Sequence, residues 1–182
     1  LFVIGFGSAQ LVSGPLSDRY GRRPVLLGGL GIYVLASIAC GLAPTLPILV
    51  ASRLVQAIGC CTAVVVARAI IRDAYPPTEG ARMIAKASSL LSLAPLLGPI
   101  AGSYLQVSFG WRAAFAVLTV FALLMAMATT RWLEETNASR NPAATRLRPL
   151  LRTYGRIAAS PAFWAYALPG SLSYAGIFIF IS

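Results

Sequence analysis

The chain has 182 residues, of which 58% are hydrophobic and only 11% are charged, and its net charge is +10. A soluble domain carries about 25% charged residues, so the deficit indicates a membrane protein. A basic chain can also indicate nucleic-acid binding. Here, however, the arginines fall in short clusters between apolar runs and form no continuous basic face. We therefore expect no nucleic-acid partner.

The sequence offers little for enzyme chemistry. Histidine is absent, and Cys40, Cys60 and Cys61 lie inside apolar runs, where cysteine acts as a small packing residue. Neither a disulfide framework nor a zinc spacing is present. The 5 acidic residues all lie at or beyond one edge of the apolar runs, and no serine or cysteine has a plausible base beside it. We expect no enzyme activity, no cofactor and no metal site.

The apolar runs predict an all-α membrane protein. About 20 apolar residues in a helix cross the hydrocarbon core, and the alternating strands of a closed barrel are missing from the sequence. Six segments are predicted, at residues 1–16, 25–42, 47–71, 85–105, 112–132 and 162–182. The chain starts without a methionine and both of its ends fall in apolar runs. We therefore expect it to be part of a longer protein.

The basic residues predict the topology, because cytoplasmic loops carry the excess of lysine and arginine. Arg112 falls on one side of the predicted membrane, and Arg53 falls within a segment. All the others fall on the opposite side: Arg19, Arg22, Arg23, Arg68, Arg72, Arg82, Lys86, Arg131, Arg140, Arg146, Arg148, Arg152 and Arg156. That side is predicted to be cytoplasmic. The first segment then runs inward, which requires a preceding helix.

Small residues recur every four positions in the first segment. They are Gly5, Ala9, Ser13 and Ser17, a stripe that suits close helix packing. Gln10 in the same helix either faces a cavity or bonds a neighbouring helix.

Residues 14–24 predict a tight, water-exposed turn between two antiparallel helices. Gly14 and Gly21 allow close approach and sharp bending, and Pro24 suits the first turn of the next helix. Orientation in the membrane alone would account for the arginines. It does not account for Asp18 or for the spacing of the glycines.

The third segment carries a charge, Arg53, which costs at least about 2.5–3.5 kcal/mol at the centre of a membrane helix. Arg53 shares a helical face with Gln56, Ala57 and Cys60. Either it extends to the headgroups at the outer edge, or it faces the interior of the bundle. The same helix ends with Arg72 and Asp73 on the side of the Asp18 turn, so a cluster of Asp18, Arg22 and Asp73 is geometrically plausible.

The fourth segment combines small residues with prolines. Ala94, Gly98 and Gly102 form a small-xxx-small seam, and Pro95 and Pro99 predict a kink because proline removes helical hydrogen bonds. Ordinary tight packing of a membrane helix is the alternative interpretation.

The connection at residues 133–161 is long and basic. Its apolar residues fall on one helical face and its arginines on another, which predicts an amphipathic helix lying in the membrane plane. The apolar face comprises Leu147, Leu150, Leu151, Tyr154, Ile157 and Ala158, and the basic face comprises Arg148, Arg152 and Arg156. A flexible, solvated linker is the alternative.

Four motifs resemble those of one transporter family. Residues 14–23, Gly-x-Leu-Ser-Asp-Arg-x-Gly-Arg-Arg, resemble the signature loop between helices two and three of the major facilitator superfamily. Arg53-x-x-Gln56 followed by Gly59 resembles its fourth-helix motif, although two residues separate the glutamine from the glycine. Gly98-Pro99-x-x-Gly102 resembles the antiporter motif, and residues 133–136, Leu-Glu-Glu-Thr, resemble the end of helix six. The chain is most similar to the drug:proton antiporters of the bicyclomycin-resistance (Bcr/CflA) type.

This resemblance implies an incomplete major facilitator helical bundle. Residues 1–132 would form the N-terminal half without its first helix, residues 133–161 a cytoplasmic linker, and residues 162–182 helix seven.

The resemblance also implies roles for individual residues. A conformational switch at the cytoplasmic face would comprise Gly14, Asp18, Arg19, Gly21, Arg22, Arg23, Arg72 and Asp73. Proton coupling or a cavity would involve Arg53, Gln56 and Gln10, and a gate would involve Ala94, Gly98, Pro99 and Gly102.

The function implied is secondary active efflux of drug-like molecules by proton antiport with alternating access. The expected setting is a bacterial inner membrane, with the lipid bilayer, protons and a small molecule as partners and a monomeric intact transporter. A proton-driven uptake symporter and a non-transporting scaffold or receptor are the alternatives. No predicted span contains a carboxylate, so the proton-coupling acid is expected outside these residues.

Overall fold

A computed structural model of the chain describes residues 2–137, 141–142 and 144–181. The chain divides into two compact units at residues 142 and 143, and each is described by itself. Leu1, Arg140 and Ser182, which the sequence analysis used, lie outside the described residues, as do the side chains of Leu147 and Arg148.

The first unit contains six helices, and the described residues of the chain include no strand. The helices are α1 (Phe2–Tyr20), α2 (Arg22–Leu42), α3 (Leu46–Ala74), α4 (Pro77–Leu91), α5 (Ala94–Phe109) and α6 (Arg112–Trp132). Among the described helices, α2, α3 and α6 are long and apolar enough to cross a membrane. The predicted all-α membrane architecture is therefore confirmed.

Helix α3 packs against both α1 and α2, and small residues make those contacts close. A Cβ added to Gly59 would lie 2.7 Å from the Gly29 carbonyl oxygen and 2.7 Å from the Tyr33 nitrogen. On the α1 side, Ser13 is buried and shares a 3.0 Å hydrogen bond with Thr62. The predicted small-residue stripe of α1 thus faces α3. Helix α6 packs on α2, and α5 packs on α6.

The turn between α1 and α2 is shorter than the sequence predicted, and some of its residues are more buried. The two helices are separated by one residue, Gly21, rather than by an extended loop. Arg22, expected at a water-exposed position, has only 5% of its surface exposed, and Ser17 has none. The expectation of a water-exposed turn is therefore wrong for Ser17 and Arg22, because α3 and the segment after α6 cover them, while Arg19, Tyr20 and Pro24 are exposed as predicted.

The fourth predicted segment is not one continuous helix. The structure divides residues 85–105 between α4 and α5, with a turn at Ser92 and Leu93. Pro95 has no N–H to donate to the carbonyl oxygen of Leu91, so one helical hydrogen bond is missing there. The turn at Ser92 and Leu93 ends two residues before the proline. Ser92 N–H still bonds to Ser88 O (3.0 Å) as in an α-helix, whereas Leu93 N–H bonds to Leu90 O (3.1 Å), three residues back. The predicted kink is therefore a turn at Ser92 and Leu93 before Pro95, and Pro99 lies inside α5.

Arg112 lies at the end of α2 opposite the Gly21 turn. Its guanidinium donates to the carbonyl oxygens of Gly41 (3.0 Å) and Ala43 (3.3 Å), which the end of a helix leaves without partners. Arg23, at the start of α2, donates instead to Thr130 O at the end of α6. Helices α2 and α6 are therefore antiparallel, and Arg112 is separated from the arginine-rich end as the topology predicted.

The second unit contains α7 (Leu147–Ala158) and α8 (Pro161–Ile181). The predicted helix in the basic connection is present, and Arg152 and Arg156 on its basic face are exposed. Trp164 donates its indole N–H to Ala158 O (2.8 Å) and so joins the two helices. The placement of α7 in the membrane plane stays a prediction.

Candidate functional site

The conformation of Gly21 brings the ends of α1 and α2 together. Its φ of 107° and ψ of 158° belong to a region that is essentially restricted to glycine. A Cβ at this position would also collide with the carboxylate of Glu135. At Gly14, by contrast, a Cβ would meet nothing within 4 Å. Of the two glycines of the signature, only Gly21 is required by the local geometry.

A buried arginine, Arg22, is the centre of a charge cluster. Its Nε donates to Asp73 Oδ2 (2.7 Å) at the end of α3, and its Nη1 donates to Asp18 Oδ1 (2.5 Å) and Ser17 Oγ (2.6 Å) on α1. The guanidinium therefore links α1, α2 and α3 at one end of the bundle. Side-chain exposure is 6% for Arg22, 22% for Asp73 and 44% for Asp18, so Asp73 is the more deeply placed carboxylate.

Glu135, in the segment that follows α6, caps the start of α2 beside this cluster. Its carboxylate accepts backbone N–H bonds from Arg22 (2.8 Å) and Arg23 (3.3 Å), the first residues of α2. These N–H groups have no partner within the helix, and a negative charge there is also favoured by the helix dipole. Asn137 adds a bond from its Nδ2 to Asp18 O (3.1 Å). The segment following α6 therefore binds directly to the Asp18 turn.

The remaining basic residues of the proposed switch lie around this cluster. Arg19 is exposed, and its guanidinium lies 5.1 Å from the centre of the Tyr20 ring. Arg23 donates to Thr130 O of α6 (2.8 Å). Arg72 is exposed at the end of α3, one residue before Asp73.

Arg53 belongs to a second polar network, between α2, α3 and α6. Its Nη1 donates to Gln56 Oε1 (2.8 Å), Gln56 Nε2 donates to Ser37 Oγ (2.7 Å), and Ser37 donates to Tyr33 O (2.7 Å). Gln56 and Ser37 are buried, with 1% and 0% exposure. The Arg53 guanidinium itself is exposed but lies 5.0 Å from the centre of the Phe115 ring. Arg53 thus bonds to a buried polar chain, as expected if it faced the interior of the bundle. Its guanidinium is nevertheless exposed, as expected if it extended towards the headgroups.

Gln10 is not part of that network in the described contacts. Its side chain is exposed on α1, while Gly5 and Ser13 of the same helix face α3. The structure therefore places it apart from Arg53 and Gln56.

The motif residues of α5 lie on an open surface of the first unit. Ala94, Gly98 and Pro99 are exposed and Gly102 is half-buried. A Cβ added to Gly98 or Gly102 would meet nothing within 4 Å. Within the described part of the chain, then, the predicted small-residue seam is not packed against another helix.

Several residues of these two sites were not predicted from the sequence. Ser17, Glu135 and Asn137 complete the Arg22 cluster, and Ser37 and Phe115 complete the Arg53 network. The sequence carries no signal for the role of Glu135, because the acidic pair follows the end of α6 and only the fold brings it to the start of α2. The described residues contain no group of three histidine, cysteine or acidic side chains that could hold a metal ion.

Comparison with known proteins gives a family match along the whole chain. The profile described as Major Facilitator Superfamily matches residues 1–182.

Three relatives with curated names are a chloramphenicol resistance protein and two multidrug resistance proteins. The chain is 34% identical to the chloramphenicol resistance protein of Pseudomonas aeruginosa over 182 residues, which is 100% of this chain and 42% of the relative. It is 34% identical to multidrug resistance protein D of Escherichia coli K12 over 171 residues, or 92% of this chain and 41% of the relative. It is 28% identical to the multidrug resistance protein MdtL of Shigella dysenteriae over 81% of this chain and 38% of the relative. The chain thus spans about two fifths of the length of these relatives.

Proposed function

The chain belongs to the Major Facilitator Superfamily, and on that premise we propose that the whole protein exports drugs or other small toxic molecules by proton antiport with alternating access. The family consists of membrane transporters, which places the chain among transporters and not enzymes. The names of the relatives, chloramphenicol resistance protein and multidrug resistance protein D, support efflux over uptake. We assign the transporter to the bacterial inner membrane as a monomer.

The Asp18–Arg22–Asp73 cluster carries the mechanistic part of the proposal. It joins three helices through one buried guanidinium, at the end of the bundle that is rich in arginine. A charge network that forms in only one of two conformations shifts the equilibrium between them by its free energy in that conformation. We propose that the cluster, with Gly21, Arg19, Arg23 and Arg72 around it, stabilises the outward-facing state.

The two other motifs complete the scheme. We propose that the Arg53–Gln56–Ser37 network takes part in proton coupling, because it is a hydrogen-bonded polar chain inside an apolar bundle. The proton-binding carboxylate is assigned to chain outside these 182 residues. The open surface of α5 with Ala94, Gly98, Pro99 and Gly102 would serve as the gate, because backbones can approach closely there.

The test uses the full-length protein in a bacterial strain that lacks its own drug exporters, with chloramphenicol as the first probe. Efflux predicts that energised cells expressing the protein accumulate less chloramphenicol than cells with an empty vector, and that a protonophore abolishes the difference. Arg22→Met should reduce export at least tenfold at equal membrane abundance. Arg68→Gln, an exposed arginine at the same end of α3, is the matched control and should export normally.

Two results would contradict the proposal. Greater accumulation in energised cells would identify an uptake symporter. Unchanged accumulation of chloramphenicol and of a panel of cationic and neutral drugs, with the protein present in the membrane, would favour the scaffold or receptor.

A further inference from the structure

An apolar groove of about 870 Å³ lies between α1 and α2, with α3 as its floor. Leu16 and Val12 of α1 and Ile32 of α2 line its walls, and Ile58 lies on the floor. Its volume is in the range of about 300–1,000 Å³ that ligand sites occupy. The groove is separate from the Arg53 network, whose members do not line it.

The walls of the groove offer no charge to a ligand. Among the described residues, none that lines it is acidic or basic. The hydroxyl groups of its two serines and its threonine already bond to the protein: Ser8 donates to Gly5 O, Ser13 to Ala9 O and Thr62 to Ile58 O. The interior therefore favours a hydrocarbon chain. A lipophilic cation, the kind of drug that needs a carboxylate or an aromatic cage, has no counter-charge there.

One end of the groove lies near a basic residue. Tyr20 and Pro24 line this end, beside the Gly21 turn. Arg19 does not line the groove, but its guanidinium lies 5.1 Å from the centre of the Tyr20 ring, at the end of the bundle that the positive-inside rule assigns to the cytoplasm. An apolar groove with an exposed arginine beside one end matches the two parts of an anionic lipid.

We propose that this groove binds one anionic glycerophospholipid of the cytoplasmic leaflet. An acyl chain lies between α1 and α2, and the phosphate lies at Arg19. The lining residues of α1 extend from Gly5 to Tyr20, roughly 22 Å at the helical rise. One leaflet contributes about half of the ~30 Å hydrocarbon core, so an acyl chain of ordinary length is accommodated. The bound lipid would touch the turn that carries the Arg22 cluster.

Gly28 provides a direct test of the groove. It lines the groove, and a Cβ there would meet no atom within 4 Å, so Gly28→Leu fills the space without disturbing a neighbouring helix at the Cβ. Gly31→Leu is the matched control, because Gly31 lies on the same helix, is equally open at its Cβ and does not line the groove.

The measurement is native mass spectrometry of the full-length protein, delipidated and then titrated with phosphatidylglycerol or phosphatidylcholine of the same chain length. The wild type and Gly31→Leu should retain one tightly bound phosphatidylglycerol, and Gly28→Leu should lose it. Arg19→Gln should weaken phosphatidylglycerol binding about fivefold, since one basic residue near anionic lipid contributes about 1 kcal/mol. Arg68→Gln should leave it unchanged.

Equal retention by Gly28→Leu and Gly31→Leu would overturn the proposal. So would equal affinity for phosphatidylcholine, or displacement of the lipid by tetraphenylphosphonium at micromolar concentration, which would make the groove a cation site. Lipid retention is measured without transport, so its failure is distinguishable from a failure of the efflux assignment.

Discussion

At the scale of single residues, Arg22 shows why a charge in this chain can be buried. Its guanidinium bonds to two carboxylates and a hydroxyl, so the desolvation cost of burial is offset by charge-assisted hydrogen bonds. The two acids are not equivalent. Asp18 shares Nη1 with Ser17 and is 44% exposed, whereas Asp73 is the acceptor of Nε and is 22% exposed.

This asymmetry predicts an order of stability. Asp73→Asn in the full-length protein should lower the free energy of unfolding by about 1.5–3 kcal/mol, the range for a hydrogen bond to a charged group. Asp18→Asn should cost less, because Ser17 still accepts from Arg22 and solvent screens the exposed carboxylate. Denaturant titration of the purified protein in detergent measures both variants. A larger loss for Asp18→Asn would contradict the assigned geometry.

The two glycines of the signature predict a second contrast. Gly21→Ala should destabilise the protein by about 1–3 kcal/mol from backbone strain, and its Cβ should displace the Glu135 carboxylate, which accepts from the Arg22 N–H. Gly14→Ala is the control: it lies within α1 in open space and should be neutral or stabilising. Thermal unfolding of both variants gives the comparison, measured as the fraction of protein that stays monodisperse as the temperature rises. Similar behaviour of the two variants would contradict the structure of the turn.

At the scale of helices, the crossing of α2 and α3 at Gly29 and Gly59 sets how closely the first unit packs. In lipid, helices gain no hydrophobic driving force from meeting, so close van der Waals contact between small residues stabilises them. The α3 helix has 29 residues and so exceeds the hydrocarbon core, since about 20 residues suffice to cross it. Its last turn, with Asp73, therefore reaches the interface where it meets Arg22.

The crossing gives a prediction for the helix pair. Gly59→Ala should separate α2 from α3 at a cost of about 1–3 kcal/mol, the usual range for overpacking, because its Cβ would meet the backbone of Gly29 and Tyr33. Gly31→Ala, on the opposite face of α2 from the contact and open at its Cβ, should instead gain up to about 1 kcal/mol of helix propensity. Unfolding in detergent distinguishes them. An unchanged Gly59→Ala would show that the crossing is looser than described.

At the scale of the whole molecule, the two ends of the first unit differ in charge. The ends of α1, α3 and α6 meet the start of α2 around Arg22 and Arg23, while Arg112 lies at the other end of α2. This polarity is the structural basis for the orientation expected from the positive-inside rule.

The orientation is testable with single cysteines in the full-length protein. The exposed residues Val107 and Thr78 lie at the end of α5 and the start of α4. In intact cells, a membrane-impermeant maleimide should label Val107→Cys, and Thr78→Cys should be labelled only after permeabilisation. The unsubstituted full-length protein gives the background labelling, and the three cysteines of the present chain lie within α2 and α3. Labelling of Thr78→Cys from outside would reverse the topology.

The sequence by itself determined the features that depend on short segments or on a repeat along the chain. The length of the apolar runs gave the helices α2, α3 and α6, and the placement of arginines gave the charged and uncharged ends, because hydropathy and charge are properties of short segments. The repeat of Gly5, Ala9 and Ser13 gave the face of α1 that meets α3, since a helix returns to the same face every four residues.

Only the tertiary structure decided which side chains meet across the chain. Asp73 reaches Arg22 from 51 residues away, a pair that the sequence made plausible because both residues fall on the same side of the membrane. Glu135 caps α2 from 113 residues away, and no local pattern marks that pair, because whether it forms depends on how the helices cross. For the same reason the sequence predicted a water-exposed position for Arg22, which packing buries, and a single kinked helix where a turn at Ser92 and Leu93 separates α4 from α5. Whether a side chain is buried depends on which helices lie next to it, and the packing of the whole bundle determines those neighbours.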